Sequence, residues 1–317
     1  MAVDGVLAGK YNAVLTMEDD AGTFKTPVAG DNNFPLGVSD IAFDGRMSEG
    51  FRDANGKFSV ARQFANGWLA TLKAESYLME PVDPNKTDGT IEIAPMFVLS
   101  GFRQVDGTTN KELVWDGEGS CSTASMRALN KACGVNADGV GTDLRGMRFS
   151  TTITAETSGS PFMISADGMA GVDGDIDVTK SVITDVYSND ADKLPIEMFV
   201  GSLTLGGTEI PVEGLTIAMN AENSEQKTPT AGKKGIDYIY GSDYKPTVSI
   251  TAPIGTATSD WWTNVVEGVV IDTMVYTGTY FDITCTDLVI NSIARNSEGK
   301  VSLTQELSPK TITVTPK

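Results

Sequence analysis

The chain has 317 residues, 24 Lys plus Arg against 42 Asp plus Glu, a formal net charge of −18, and no histidine. Without histidine, Ser-His-Asp and Cys-His catalysis and the common His-containing zinc sites are excluded, and only carboxylate-based enzymology stays open. An excess of acid on this scale argues against a protein that grips a phosphate backbone.

The N-terminal stretch MAVDGVLAGKYNAVLTMEDD has no basic region followed by an apolar core. No signal peptide is therefore expected, and no run approaches the ~18 apolar residues of a membrane span. Cys121, Cys133 and Cys285 are odd in number and lack metal-ligand spacing. They are expected as reduced thiols in a protein made inside the cell.

Short alternating runs follow along the chain. Lys57 to Ala61 read K-F-S-V-A, and Met147 to Ala155 place Met147, Phe149 and Ile153 on one side. Thr247 to Ala252 read T-V-S-I-T-A, and Thr311 to Thr315 read T-I-T-V-T. Thr, Val, Ile and aromatic residues at period two are the strand signal, and recurrent Asp-Gly pairs suit the tight turns between strands. The expected class is mainly β.

Two short helices are expected to flank the strands. One lies near 94–101, with Pro95 in its first turn and Gly101 as its stop. The other lies near 259–268, capped by Ser259, with Asp260 at the positive end of the helix dipole and Gly268 as its stop. Trp261, Trp262, Val265 and Val266 give that helix an apolar stripe, read as the face that packs on a sheet.

The order strand, strand, helix, hairpin occurs twice. In the first half K-F-S-V-A-R runs through Asn66-Gly67 to W-L-A-T-L-K-A, then to the first helix and a hairpin around Ser158-Gly159-Ser160. In the second, I-D-Y-I-Y runs through Gly241-Ser242-Asp243 to P-T-V-S-I-T-A, then to the second helix and a hairpin around 296–299. A duplication and a chance recurrence in a β-rich chain both fit. The expected division is a first β unit over 1–145, a hairpin and connecting segment over 146–199, and a second β unit over 200–317.

Tests for specific chemistry fail. The segment around Gly232-Lys233-Lys234-Gly235 is not a phosphate loop, and Gly139-Val140-Gly141 lacks dinucleotide spacing. Asp173, Asp175 and Asp177 match the first three calcium-loop positions, but Val178 stands for the required glycine and Thr184 for the terminal Glu. These carboxylates read as one strand face that meets water or a cation. The stretch from Glu222 to Gly235 is polar and without period, and reads as a long exposed loop. Tyr238 and Tyr240, beside Lys233 and Lys234, read either as a contact patch or as an ordinary strand face. No metal or cofactor is expected.

The segment Pro211 to Ala252 resembles the major tail tube proteins of long-tailed (siphophage-type) bacteriophages. In that family a strand ends in an Asn-centred turn, here Asn220, followed by a loop with Pro and Gly, here Glu222 to Gly235. A second strand then approaches a third through Gly241 and Lys245-Pro246-Thr247. The Trp-bearing helix and the closing strands Ile271 to Leu307 look like the family as well. In the first half, Ala132-Cys133-Gly134 and Leu144-Arg145-Gly146-Met147-Arg148 echo a turn that opens a hairpin, although the family's alanine before Arg145 is missing.

The resemblance implies a β-sandwich subunit with a flanking helix, not an enzyme, whose copies join into rings that stack as a tube. It implies a virion (tail) location after synthesis in the host cytoplasm, and contacts with tape measure, tail terminator and baseplate proteins. DNA would pass through the lumen unbound, and no membrane is involved. An acidic wall repels the DNA backbone. The charge is uneven, net −6 over residues 1–150 and −12 over 151–317, and Asp173, Asp175 and Asp177 are the expected lumen-facing acids. Glu222, Glu225, Lys227, Lys233, Lys234, Tyr238 and Tyr240 are the expected inter-ring or subunit contacts. Alternatives are a decoration, head–tail joining or baseplate protein, or a calcium- or carbohydrate-binding β protein.

Overall fold

The computed structural model describes residues 11–28, 33–54, 57–80, 91, 93–131, 138–156, 160–181, 194–195, 201–228, 235–296 and 302–317. The chain is mainly β, with short helices. In order the elements are β1 (Tyr11–Met17), β2 (Asn33–Ala54), β3 (Lys57–Tyr77), β4 (Met79–Glu80), α1 (Ala94–Val98), β5 (Arg103–Asp106), β6 (Lys111–Trp115) and β7 (Ala124–Lys131). Next come β8 (Asp138–Ala155), β9 (Met163–Ser181), β10 (Leu194–Pro195), β11 (Ser202–Leu205), β12 (Thr208–Ile210), β13 (Gly214–Ala218) and β14 (Ala221–Lys227). The last are β15 (Ile236–Tyr244), β16 (Thr247–Pro253), α2 (Trp261–Glu267), β17 (Val270–Thr277), β18 (Phe281–Asn296), β19 (Ser302–Ser308) and β20 (Thr311–Pro316).

Strands β8-β7-β1-β2-β3-β9 close on themselves through β8–β9, forming an antiparallel barrel. A barrel this small has little interior room, so small side chains must alternate with large ones. Ala13, Ala70, Ala74, Ala128, Ala166 and Ala170 are buried among Leu15, Leu36, Leu72 and Phe149. The boundary expected at 145/146 falls inside β8, and the hairpin expected beyond it, β8 with β9, completes the barrel.

Past Met147 the edge of β8 that β7 covers is taken by another strand, while β9 stays on the opposite edge. The end of β8, Thr152–Ala155, pairs with β13, and the sheet continues as β13-β16-β19-β18-β17-β11-β12. β19 and β20 run end to end along β18 and part at Pro309, which has no N–H for the ladder. β20 then pairs with β6 and β6 with β5. The expected hairpins around 158–160 and 296–299 correspond to β8–β9 and β18–β19.

The pairing order β1-β7-β8-β9-β3-β2 recurs as β11-β17-β18-β19-β16-β13, every contact antiparallel. A helix follows β3 in the first set and β16 in the second. Each set also carries a two-stranded ladder. Beyond the pair Asp44–Leu69, β2 and β3 pair only with each other among the described residues, and β14–β15 does the same after β13. The outer β2–β3 ladder covers about ten rungs, about 30 Å at strand rise. Asn66-Gly67 and Gly241-Ser242-Asp243, expected as turns, are instead β-bulges at the base of each ladder.

Helix α1 is almost wholly buried, with Ala94, Pro95, Met96 and Phe97 in the core and its last turn closing through Leu99–Gly101. Helix α2 starts one residue later than expected. Asp260 occupies its N-cap without a side-chain bond to the helix N–H groups, while Ser259 Oγ lies within donating distance of the Thr256 carbonyl of the preceding turn and of Asp260 Oδ1. Gly268 ends it as expected in the left-handed region, φ 66°. Among the described residues no helix is long and apolar enough to cross a membrane.

Phe162, from the β8–β9 connection, meets Tyr276 of β17 and Phe281 of β18 with ring centroids 5.2 and 5.4 Å away, which ties the barrel to the second sheet. Cys285 is buried nearby, and burial pushes its thiol from 9.0 up to about 12. Burial, and then the charge of Asp282, push Tyr276 from 10.0 up to about 12. Both groups ionise earlier in the unfolded chain, so the folded state holds more protons between pH 9 and 12. Stability is therefore full below pH 9 and falls as pH rises towards 12. Urea melts across this range should show the loss, and Cys285→Ala should lessen it, leaving the part due to Tyr276. At neutral pH a thiol reagent should modify exposed Cys121 and spare Cys285 until urea unfolds the chain.

Candidate assembly surfaces

Of the segment expected as a loop from Glu222 to Gly235, residues 222–227 are strand, and 229–234 lie outside the described residues. Ala221–Lys227 are almost all polar, and they form β14 because β15 offers a backbone partner and an apolar anchor. Ile236 and Ile239 of β15 bury against Leu69 of β3, with Met169 of β9 alongside. The hairpin thus lies across the outside of the barrel over β8, β9 and β3.

A buried arginine holds it there. The side chain of Arg145 is 1% exposed and donates through Nη1 to the Asp237 carbonyl at 2.6 Å and through Nη2 to the Ile236 carbonyl at 2.8 Å. Its Nε lies 3.4 Å from Asp173 Oδ1. Burial pulls the guanidinium pKa down, and the charges of Asp173, Asp237 and Glu18 oppose that pull. Arg145 reaches these groups because β8 carries a bulge, with Arg145 opposite Gly171 and Arg148 opposite Met169. The Leu144 to Arg148 motif is therefore a bulge within a strand, not a hairpin-opening turn. Ala132-Cys133-Gly134 lies outside the described residues.

Gly146 makes the bulge possible. Its φ is +59°, and a Cβ there would sit 2.6 Å from Tyr238 Cα. Gly146→Ala should cost about 3 kcal/mol, strain plus displacement of β15. Gly174, with φ +70° and open space around its would-be Cβ, should cost only about 1 kcal/mol as Ala. Thermal melts of the two variants side by side test this; equal losses would remove the role assigned to the Tyr238 contact.

The expected contact residues separate by environment. Glu222 is exposed and 3.0 Å from Lys245 Nζ, which also meets Asp243 Oδ2 at 2.9 Å. These partners, Asp243 first, raise the Lys245 pKa, and Lys245 lowers that of Asp243. Glu225 is largely covered and 3.3 Å from Lys227 Nζ. Tyr238 is half-buried against Gly146, and Tyr240 is exposed. Lys233 and Lys234 lie outside the described residues. The hairpin brings Glu222, Glu225, Lys227, Tyr238 and Tyr240 together, and of these only Tyr240 presents a large apolar surface to solvent.

The expected acidic face changes too. Asp173 spends part of its charge on Arg145. Asp143 stands opposite Asp173 and Gly141 opposite Val178, so four residues of β9 face one of β8. Strict alternation from Asp173 to Asp177 is broken there. The side chains of Asp175 and Asp177 lie outside the described part. Among the described residues no three His, Cys, Asp or Glu side chains converge as metal ligands.

An apolar surface was missed. Trp262 is 50% exposed and Val266 87%, while only Trp261 of α2 is buried. Val269 and Val270 continue the exposed run, and Val270 pairs with exposed Val289 of β18. The stripe was legible, but on a helix of seven residues the four positions span about 140° at 100° per residue. The sheet covers only the Trp261 side of that arc. An exposed apolar cluster, unlike single exposed residues, marks a contact surface. No protein-family model and no curated protein sequence matches the chain.

Proposed function

We propose that this chain is a structural subunit that assembles with copies of itself into rings, and that the rings stack into a tube of the kind phage tails use to conduct DNA. The observation that carries this reading is the six-strand order that occurs twice in one chain. Two like units side by side are two-sixths of a six-unit ring, so three copies would close it. The first set closes through β1–β2, and among the described residues no pairing joins β11 to β13 in the second.

Two further observations support the reading. The outer β2–β3 ladder, about 30 Å long, is long enough to reach a neighbouring ring. The net charge of −18 would let DNA pass a wall without sticking. A tail location, with tape measure, terminator and baseplate proteins as neighbours, follows if the tube reading holds.

Negative-stain electron microscopy of the purified protein is the test. Closed rings or tubes, with six lobes and three-fold symmetry in end-on views, are expected. A protein that stays monomeric in sedimentation up to millimolar concentration, and shows no rings, would overturn the proposal.

A further inference from the structure

Within one chain, the two strand sets are already joined edge to edge. β7 covers one edge of β8 as far as Met147, and the same edge then takes β13 over Thr152–Ala155. β9 occupies the other edge as far as Thr154. The β8–β13 contact is antiparallel, with buried Ile153 opposite Ile217, buried Ala155 opposite Leu215, and Thr154 Oγ1 2.9 Å from Thr216 Oγ1. The second set thus docks through the strand that precedes its ladder onto the long hairpin strand of the first.

The same two kinds of edge recur elsewhere in the chain. β18 is the counterpart of β8, and β17 covers it only as far as Val289. Beyond that point Ile290–Arg295 have β19 on one edge and no strand on the other among the described residues. β2 is the counterpart of β13, and β1 covers it only as far as Val38. Asp40–Phe43 have β3 on one edge and no strand on the other among the described residues. Ile41 and Phe43 on β2, and Ile290 and Ile293 on β18, are only half-buried, whereas the apolar pairs Ile153–Ile217 and Ala155–Leu215 at the β8–β13 contact are buried.

We propose that β18 of one copy pairs antiparallel with β2 of the next copy, through 290–295 and 40–43, repeating between chains the β8–β13 contact within a chain. The inference rests on the reading that the chain self-assembles, and it names the surfaces that do so. An open strand edge templates another strand, and the internal contact shows which strand this fold accepts there. The two edges are different surfaces, so the contact is head-to-tail. Each copy offers one of each, and the contact therefore propagates until it closes. Pairing would bury the four half-covered apolar residues.

Single cysteines test it. In a background of Cys121→Ser and Cys133→Ser, with buried Cys285 kept, Ala42→Cys or Asp40→Cys is placed on one chain and Ala294→Cys or Ser292→Cys on another. All four positions are exposed, and two positions per strand cover neighbouring registers within disulfide reach. Mild oxidation of an equal mixture of the two chains should link up to about half of the protein into dimers on a non-reducing gel for at least one combination, since random neighbours are complementary half of the time. A chain carrying both cysteines should give a ladder, and each single-cysteine chain alone should stay unlinked. Self-linking of Ala294→Cys alone would mean like edges pair, which overturns the proposal. Rings in micrographs with no linkage in any combination would overturn these edges while the tube reading stands. Absence of both rings and linkage would remove both.

Discussion

Replacing Arg145 with Met should lower the unfolding free energy by about 3–5 kcal/mol, as removing one partner of a buried charge network does. Met keeps the apolar stem but leaves the Ile236 and Asp237 carbonyls without the donors they now have. The loss should concentrate in β14–β15, because Ile236 and Ile239 are the hairpin's buried apolar residues, packed on Leu69 and Met169 next to the carbonyls that Arg145 holds. Amide hydrogen exchange should show Ile239 and its neighbours opening well before the barrel strands. Lys at 145 should rescue little, since one ammonium cannot reproduce a planar fork aimed at two successive carbonyls. Asp173→Asn should cost far less, because that carboxylate is partly exposed. A urea midpoint for Arg145→Met within error of the parent would show that the hairpin is held by its apolar contacts alone.

Glu18→Ala should cost about 3 kcal/mol, since its carboxylate accepts four hydrogen bonds and each donor stranded away from water costs about 1–3. Gly22 N–H and Thr123 Oγ1 donate to Oε2 at 2.8 and 2.6 Å, and Ser125 Oγ and Gly146 N–H donate to Oε1 at 2.7 and 2.8 Å. One side chain after β1 thereby ties together the following turn, the start of β7 and the bulge of β8. Glu18→Gln should fall between parent and Ala, because its amide group brings donors to face donors. Thr123→Val and Ser125→Ala should each cost about 1 kcal/mol, and a double-mutant cycle with Glu18→Ala should be non-additive. Additive losses in urea melts would mean the four bonds act independently and do not form one network.

The strands most legible in the sequence were those with one face in the core. Thr247–Pro253 and Thr311–Pro316 alternate half-covered and buried residues as their period-two pattern indicated. β14 was illegible because both of its faces are polar, and its strand form depends on β15, itself pinned by Arg145. The bulges at Asn66 and Ser242 read as turns because turns and bulges draw on similar residues, and only the partner strand tells them apart. The internal recurrence was visible as an order of elements, and the matching pairings were not.

By itself the sequence determined the mainly β character, the absence of histidine chemistry, the acidic balance, both helices, the glycine stop at 268 and the two long hairpins. These depend on composition or on neighbours a few positions apart. Tertiary structure alone decided barrel closure, the repeated pairing order, the two half-covered edges and the clamp of Arg145 on carbonyls 91 and 92 residues away. Such contacts are selected by which surfaces meet after the chain has folded back on itself, and a local pattern of side chains carries no record of that choice.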